Sequence, residues 1–141
     1  MRSSGTGGVL FVLTGSAGAI SINANSDVQL TGISKSLLMA AYNLPEPSAN
    51  LLAGTLIFDK DSTGTLTING DSLVRLDGTV YVPRRDVKLT GNGTAASACM
   101  MVAGSTVEFI GNFNINNICT PTNASCNIAI GGTSPEVKLV S

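Results

Sequence analysis

The acidic side chains are the residues of this chain that could do chemistry. The sequence contains no histidine, which excludes Ser–His and Cys–His nucleophiles and any histidine-ligated metal. Acid catalysis on a polysaccharide would need two carboxylates that converge on one face. The candidates are Asp27, Asp59, Asp61, Asp71, Asp77, Asp86 and Glu108. No pair among them has an evident catalytic spacing, and aspartate is a common turn residue. The sequence therefore predicts no catalytic residue and no enzyme.

One acidic segment resembles the opening of a calcium-binding loop. Asp59-Lys60-Asp61-Ser62-Thr63-Gly64 has oxygen-bearing side chains at alternate positions and a glycine at the sixth. The bidentate glutamate expected at the twelfth position is missing, because Gly70 stands there. A corner between two strands explains the same residues. We therefore expect no metal site and no cofactor.

The three cysteines are Cys99, Cys119 and Cys126. The interval between Cys99 and Cys119 equals one step of the repeat described below, so these two could lie within disulfide reach. Cys119 and Cys126 could instead close the short loop between them, or all three could be buried free thiols. We favour a disulfide between Cys99 and Cys119, and the odd count leaves at least one thiol free in a monomer.

Composition limits the class of protein. The 141 residues suit one domain, and 43% are hydrophobic, which excludes a disordered chain. Only 12% are charged, with a net charge of −1, so we expect no nucleic-acid partner. The one adjacent basic pair, Arg84-Arg85, follows a proline and is interpreted as a solvated turn. The longest early apolar run, residues 9–13, is too short for a signal peptide or a membrane span. We expect no targeting signal in the chain and no membrane contact by this segment itself.

A five-residue sequence motif, apolar–any–apolar–any–Gly, recurs along the chain, and we call it the phrase. It occupies residues 28–32, 66–70, 74–78, 87–91 and 107–111, and a variant at residues 20–24 ends in alanine. Leu66, Val87 and Val107 follow one another at nearly equal intervals, and Ile20 precedes Leu66 by slightly more than two such intervals. Such a period is typical of stacked coils that share one core. The alternation directs the apolar residues inward and the middle residue to water, while glycine permits a positive φ at a corner.

Three short strands in each turn of about 20 residues predict an all-β fold. We expect a single-stranded, right-handed parallel β-helix (a β-solenoid) with triangular coils, forming one domain over residues 1–141. An antiparallel meander or sandwich is the rival, and the nearly constant spacing disfavours it. In the coil arrangement Thr67, Lys88 and Glu108 form one outward row, about 4.8 Å apart per strand. Lys88 and Glu108 would then make an exposed ion pair.

Two segments interrupt the predicted coils. Residues 33–54 form an insertion in which Ser34 could cap a short helix that stops before Pro45. Residues 116–127 are expected to be a cysteine-containing loop. The next apolar–any–apolar phrase after that loop is Val137-Lys138-Leu139, which comes half a step later than the constant period requires.

Several short, mostly Gly-rich segments occur in a fixed order along the chain. They are residues 10–14, 18–25, 52–59 (LAGTLIFD), 76–83 (LDGTVYVP), 90–93 (TGNG), 99–103 (CMMVA) and 109–112 (FIGN), followed by Cys119. Together they resemble the C-terminal region of TadG-like proteins of bacterial Tad (tight-adherence, Flp) pilus-assembly systems. The resemblance implies an exported envelope domain with a β-helical region of structural or adhesive role, normally preceded by a membrane anchor that this chain lacks. It transfers no catalytic residue.

We therefore expect a non-enzymatic structural or interaction module of a bacterial cell-envelope protein, linked to Tad/Flp pilus assembly or adhesion. It would lie on the periplasmic or extracellular side as part of a longer anchored protein. Its partners would be proteins of that apparatus or surface glycans. The alternative is a cytoplasmic, polymer-forming β-helix scaffold like the bactofilins. A polysaccharide-active β-helix enzyme ranks last.

Overall fold

The computed structural model describes residues 7–15, 18–23, 28–69, 74–91, 94–95, 100–111 and 114–115. The described elements, in chain order, are β1 (Phe11–Val12), β2 (Ile20–Asn23), β3 (Val28–Thr31), α1 (Lys35–Tyr42), α2 (Glu46–Leu52), β4 (Thr55–Phe58), β5 (Gly64–Asn69), β6 (Val74–Thr90), β7 (Thr94–Ala95), β8 (Met100–Ile110) and β9 (Asn114–Ile115).

The sheet is organised around β6, the longest strand at 17 residues. Seven strands belong to one sheet with the order β1-β4-β6-β5-β2, and β3 and β8 also pair with β6. Different stretches of β6 serve β3, β4 and β5 on one side, while β8 runs along the other. Strands β7 and β9 form a separate two-stranded sheet. Every described strand pairing is parallel, so like ends of the strands lie together.

The register of these pairings follows the repeated phrase. Ile20 is opposite Leu66, Leu66 is opposite Val87, and Val87 is opposite Val107. The intervals that separate these residues in the sequence are therefore the offsets between neighbouring strands. The predicted row is confirmed as well, because Thr67 lies beside Lys88 and Lys88 beside Glu108.

The predicted fold class is nevertheless wrong. The strands form a mostly parallel sheet that curls into a half-barrel and carries two short helices, and it is not a right-handed triangular β-helix solenoid. Three-sided coils require corners between short strands, but residues 74–90 continue as one strand through Gly78 and Pro83. Strand β8 likewise runs for 11 residues. Equal spacing determines which residues face each other across a sheet, and it does not determine how the sheet closes.

The main core lies on the inward face of the curled sheet, where the apolar positions of the phrase meet. Leu66, Val87 and Leu89 are fully buried there. Their alternation with exposed or half-buried neighbours agrees with the period of two residues that a strand imposes. Burial of such side chains contributes about 25 cal/mol per Å² of apolar surface removed from water. This cluster is therefore the main source of the sheet's stability.

The helices occupy the interruption at residues 33–54. Ser34 caps α1 as predicted, since its Oγ accepts a hydrogen bond from the Leu37 N–H at 3.2 Å. Helix α2 has no counterpart in the sequence prediction; it follows Pro45 and carries a proline in its first turn, where the missing N–H costs nothing. Ile33, Leu38 and Ala49 form a second, smaller core there. In the described part of the chain, neither helix has the length and hydropathy needed to cross a bilayer.

Two glycines permit close contact between successive chain segments. Gly78 has a φ of 138°, and a Cβ added there would lie 2.6 Å from the Gly54 carbonyl oxygen. A Cβ added at Gly32 would lie 2.2 Å from the same oxygen. The sequence prediction of a positive φ therefore holds at Gly78, whereas Gly32 is required by the close approach of two backbones.

Candidate functional site

The most buried polar group of the described chain is a corner cluster formed by Asp59, Ser62 and Arg85. Asp59 follows β4, Ser62 precedes β5, and Arg85 lies on β6 opposite Gly64. Arg85 Nε donates to Asp59 Oδ2 at 2.7 Å, and the two side chains are only 4% and 1% exposed. The Ser62 N–H donates to Asp59 Oδ1 at 3.0 Å. Both carboxylate oxygens of Asp59 therefore accept a hydrogen bond.

The corner cluster also binds the segment that precedes β2. Arg85 Nη1 donates to the Gly18 carbonyl oxygen, and Ser62 Oγ donates to the Gly15 carbonyl oxygen at 2.8 Å. Residues that are 67 and 47 positions apart are thereby joined. The cluster holds three successive layers of the sheet together at one corner, because its members come from the β1–β2 connection, the β4–β5 connection and β6.

The electrostatics of Asp59 follow from these contacts. Burial raises the pKa of the Asp59 carboxyl, but hydrogen bonds from Ser62 and Arg85, with the charge of the guanidinium, outweigh it. The pKa is therefore held below the ordinary value for aspartate. The carboxylate stays ionised at neutral pH and neutralises Arg85 within the protein.

An open cavity of about 340 Å³ borders the corner cluster. Its walls are Val12, Leu13, Thr14, Gly18, Ala19, Ile20, Ser62 and Arg85. The charge of Arg85 is balanced by Asp59, and the Ser62 hydroxyl proton is directed to a backbone carbonyl. The carboxylate beside Ser62 is Asp59, which is already bonded to Arg85 and to the Ser62 N–H, so the described contacts do not arrange Ser62 as an activated nucleophile. The arrangement is suited to stabilising the fold.

The other candidate carboxylates are engaged separately. Asp77 accepts from Arg75 Nε at 3.1 Å, Asp86 accepts from Thr106 Oγ1 at 2.7 Å, and Asp61 is exposed. Asp27 and Asp71 lie outside the described residues. The described residues contain no group of three His, Cys, Asp or Glu side chains that could hold a metal ion. In the segment that resembles a calcium loop, Asp59 binds Arg85 instead of lining an open loop.

The cysteine predictions are not tested by the described structure. Cys99, Cys119 and Cys126 all lie outside the described residues, as does the whole of the predicted loop at residues 116–127. The disulfide between Cys99 and Cys119 therefore stays a prediction.

The second candidate surface is the outer edge, which we define as residues 107–110 at the end of β8. Among the described strands β8 pairs with β6 alone. Val107 is 39% exposed, Phe109 52% and Ile110 42%. The residues opposite Val107 and Phe109 on β6 are Val87 and Leu89, which are fully buried. The outer edge therefore presents apolar side chains of core type to solvent.

The outer edge also carries one charged contact. Glu108 lies between Val107 and Phe109, and its Oε2 is 3.3 Å from Lys88 Nζ. Both side chains are about half exposed, as predicted for a middle position of the phrase. Glu108 thus offers a carboxylate at the surface, with an apolar side chain on either side along the strand.

Two of these features were missed from the sequence, although each left a signal. The sequence predicts a solvated turn at Arg85. However, Arg85 lies two residues before Val87 and four before Leu89, so in a strand its side chain shares their inward face. The outer edge corresponds to the last phrase before the constant period ends.

Comparison of this chain with protein-family models, curated proteins and solved structures finds no match. The resemblance to TadG-like proteins consequently depends on the short motifs in the sequence. The described residues form a closed polar cluster at one corner and a group of exposed apolar side chains at the end of β8.

Proposed function

We propose that this chain is a non-enzymatic interaction module that binds a protein partner through the outer edge. The observation that carries this proposal is the exposure of Val107, whose partner on the neighbouring strand, Val87, is fully buried. Ile110, on the same edge, is exposed as well. Grouped apolar side chains at the surface are typical of interaction sites. An isolated exposed residue would not support the same inference.

We further propose that the module serves a bacterial cell-envelope protein linked to Tad/Flp pilus assembly or adhesion. The ordered motifs that resemble TadG-like proteins support this setting. Under this proposal the chain lies on the periplasmic or extracellular side as part of a longer anchored protein. Its partners are proteins of that apparatus, with surface glycans as a second class of ligand.

Site-specific photocrosslinking tests the proposed function. A photoreactive phenylalanine derivative would replace Val107 in the full chain, expressed in a bacterium that assembles Tad pili. The control carries the same group at Tyr42, an exposed residue of α1. We expect a crosslinked product at position 107 that mass spectrometry identifies as a component of the pilus or envelope apparatus, and no such product at position 42.

Two results would contradict the proposal. Identical products from both positions, or none from position 107, would show that the outer edge is not a specific interaction surface. A product that contains only second copies of the chain would instead favour a polymer-forming scaffold, the alternative function considered from the sequence.

A further inference from the structure

Val12 belongs to two features of the molecule at once. It lines the cavity beside the corner cluster, and it stands in a row of side chains on the outward face of the sheet. We propose that the cavity and this row together bind an uncharged glycan. The inference deepens the proposed function, because it locates the second class of ligand, surface glycans, on a surface other than the outer edge.

The outward row consists of Val12, Phe58 and Tyr81. Val12 pairs with Phe58 and Phe58 with Tyr81 in the parallel register, so the three side chains lie on neighbouring strands β1, β4 and β6. The residue that precedes each of them packs in the main core, and alternation therefore directs the row away from the core. Val12 is 55% exposed and Tyr81 40% exposed. The row thus gives the outer face of the sheet an accessible apolar strip.

Two aromatic rings make this strip suitable for a sugar. The rings of Phe58 and Tyr81 are stacked, with their centroids 5.6 Å apart and their planes 19° from parallel. The contact with Phe58 holds the Tyr81 ring in place, so a ligand that packs on it costs little further ordering of the protein. The C–H groups on one face of a pyranose ring form an apolar surface that packs against such rings. The row therefore supplies the apolar half of a glycan site.

The cavity supplies the polar half. Arg85 Nε and Nη1 donate to Asp59 and to the Gly18 carbonyl oxygen, whereas Nη2 makes no hydrogen bond to a described residue and remains accessible to solvent. A guanidinium has five N–H donors, so Arg85 can donate further. Thr14, on the same wall, is exposed and its hydroxyl can both donate and accept. These groups match the hydroxyl oxygens of a sugar.

The charges around the cavity favour an uncharged ligand. Asp59 neutralises Arg85 through the contact of 2.7 Å. The two charged residues that follow Asp59, Lys60 and Asp61, are both exposed and have opposite signs. An anionic ligand would therefore lose hydration without gaining an unpaired cation. A neutral glycan can use the Nη2 donor without that cost.

The dimensions also agree with a glycan chain. The cavity of about 340 Å³ lies at the lower end of the range for small-ligand sites, which suits a single sugar unit. Neighbouring strands are about 4.8 Å apart, which is close to the length of one pyranose unit in an extended chain. A unit held in the cavity against Val12 would therefore place the following units over Phe58 and Tyr81.

Binding of tetrasaccharides to the full chain tests the inference. The probes are the neutral tetramers of glucose and of N-acetylglucosamine, with tetragalacturonate as the anionic comparison. Saturation-transfer NMR detects binding, and titration calorimetry measures the dissociation constant. We expect at least one neutral tetramer to bind saturably, and about five-fold or more tightly than tetragalacturonate, because the site contains no unpaired cation.

Two variants examine the two halves of the site. Tyr81→Leu removes the exposed ring and should weaken binding of the neutral tetramer about two- to ten-fold. Ala19→Leu narrows the cavity and should weaken it about ten-fold or more, because the sugar unit then clashes with the wall. The matched controls Tyr42→Leu and Ala41→Leu make the same changes at exposed positions of α1 and should keep the wild-type affinity. All four variants leave the corner cluster intact, and circular dichroism checks that they are folded.

The outcomes separate this inference from the rest of the proposed function. Failure of both neutral tetramers to bind, or tighter binding of tetragalacturonate, overturns the inference. Equal losses in Tyr81→Leu and Tyr42→Leu also overturn it, and a loss in Ala19→Leu alone would reject the contribution of the outward row. The photocrosslink at position 107 should persist in Tyr81→Leu and Ala19→Leu. Its absence from the wild type would count against the protein-binding outer edge and leave the glycan site standing.

Discussion

Strands β6 and β8 contain the same phrase side by side, yet they place it in different environments. Val87 on β6 is fully buried, while Val107, its partner in the same ladder, is 39% exposed. Both residues are valines and they face each other in the same register, so neither the residue type nor the register explains the difference in exposure. Strand β6 has neighbours on both sides, whereas β8 has one among the described strands. Position in the ladder decides whether a side chain of this phrase belongs to the core or to a surface.

The charged residues of the same two strands repeat this contrast. Arg85 faces inward and forms a buried pair with Asp59, whereas Lys88 faces outward and pairs with Glu108 at the surface. A buried pair loses hydration on both ions, so removing one partner leaves an uncompensated charge in the interior. An exposed pair keeps its water and is screened by salt. The inner pair should therefore control stability, while the outer pair should contribute little to it.

The largest effect is expected at the inner pair. Asp59→Asn removes the charge that neutralises Arg85 and should lower the free energy of unfolding by about 3–5 kcal/mol. Urea unfolding followed by circular dichroism measures this change. The control Asp61→Asn makes the same substitution at an exposed site two residues away and should change the free energy by less than about 0.5 kcal/mol. Similar effects of the two substitutions would show that the corner cluster does not stabilise the fold.

Matched valines test the comparison of β6 with β8 directly. Val87→Ala removes apolar atoms from the closed core and should cost about 2 kcal/mol, since each buried methylene contributes about 0.8 kcal/mol and a cavity remains. Val107→Ala acts on a partly exposed side chain and should cost about 0.5 kcal/mol or less. Thermal and urea unfolding of both variants provide the measurement. Equal losses would mean that the outer edge is covered in solution.

The register of the strands was more predictable from the sequence than the way in which the sheet closes. The steps between Leu66, Val87 and Val107 gave the correct register because parallel pairing needs only like residues at equal spacing. Closure into a solenoid was wrong because the period contains no information about the path between paired segments. Here that path includes a strand that continues through Gly78 and two helices inserted before β4.

The corner cluster was less accessible to sequence reasoning for a different reason. The triplet Pro83-Arg84-Arg85 resembles a solvated turn when it is considered locally. Its burial depends on Asp59, which is 26 residues earlier in the chain, and no local pattern joins the two. Alternation with Val87 and Leu89 was the available signal, because it directs Arg85 toward the core. A buried cation then requires an anion, and Asp59 is the residue that tertiary structure supplies.

The acid sensitivity of the folded protein tests the role of Asp59 in the inner pair. The pKa of Asp59 is lower in the folded protein than its ordinary value, so its ionised form is stabilised by folding. That stability is fully present above the unfolded pKa, about 3.9, and is lost as the pH falls through the folded pKa. Below about pH 4 the wild type should therefore lose up to about 1.4 kcal/mol per pH unit through this group.

The acid experiment compares unfolding free energies of the wild type and Asp59→Asn between neutral pH and about pH 2.5, a range that brackets the unfolded pKa. The wild-type curve should fall more steeply in acid, and the difference between the two proteins should shrink toward low pH. A constant difference between the wild type and Asp59→Asn would falsify the assignment of this acid sensitivity to Asp59.

The smallest effect is expected at the outer pair, where it sharpens the division between stability and recognition. A double-mutant cycle with Lys88→Gln and Glu108→Gln should give a coupling energy below about 1 kcal/mol, because both side chains are about half exposed. The coupling should decrease further in about 1 M salt, where charges are screened within about 3 Å. A coupling as large as the loss in Asp59→Asn would place the outer pair among the determinants of the fold. A small coupling would show that the outer pair contributes little to the stability of the sheet.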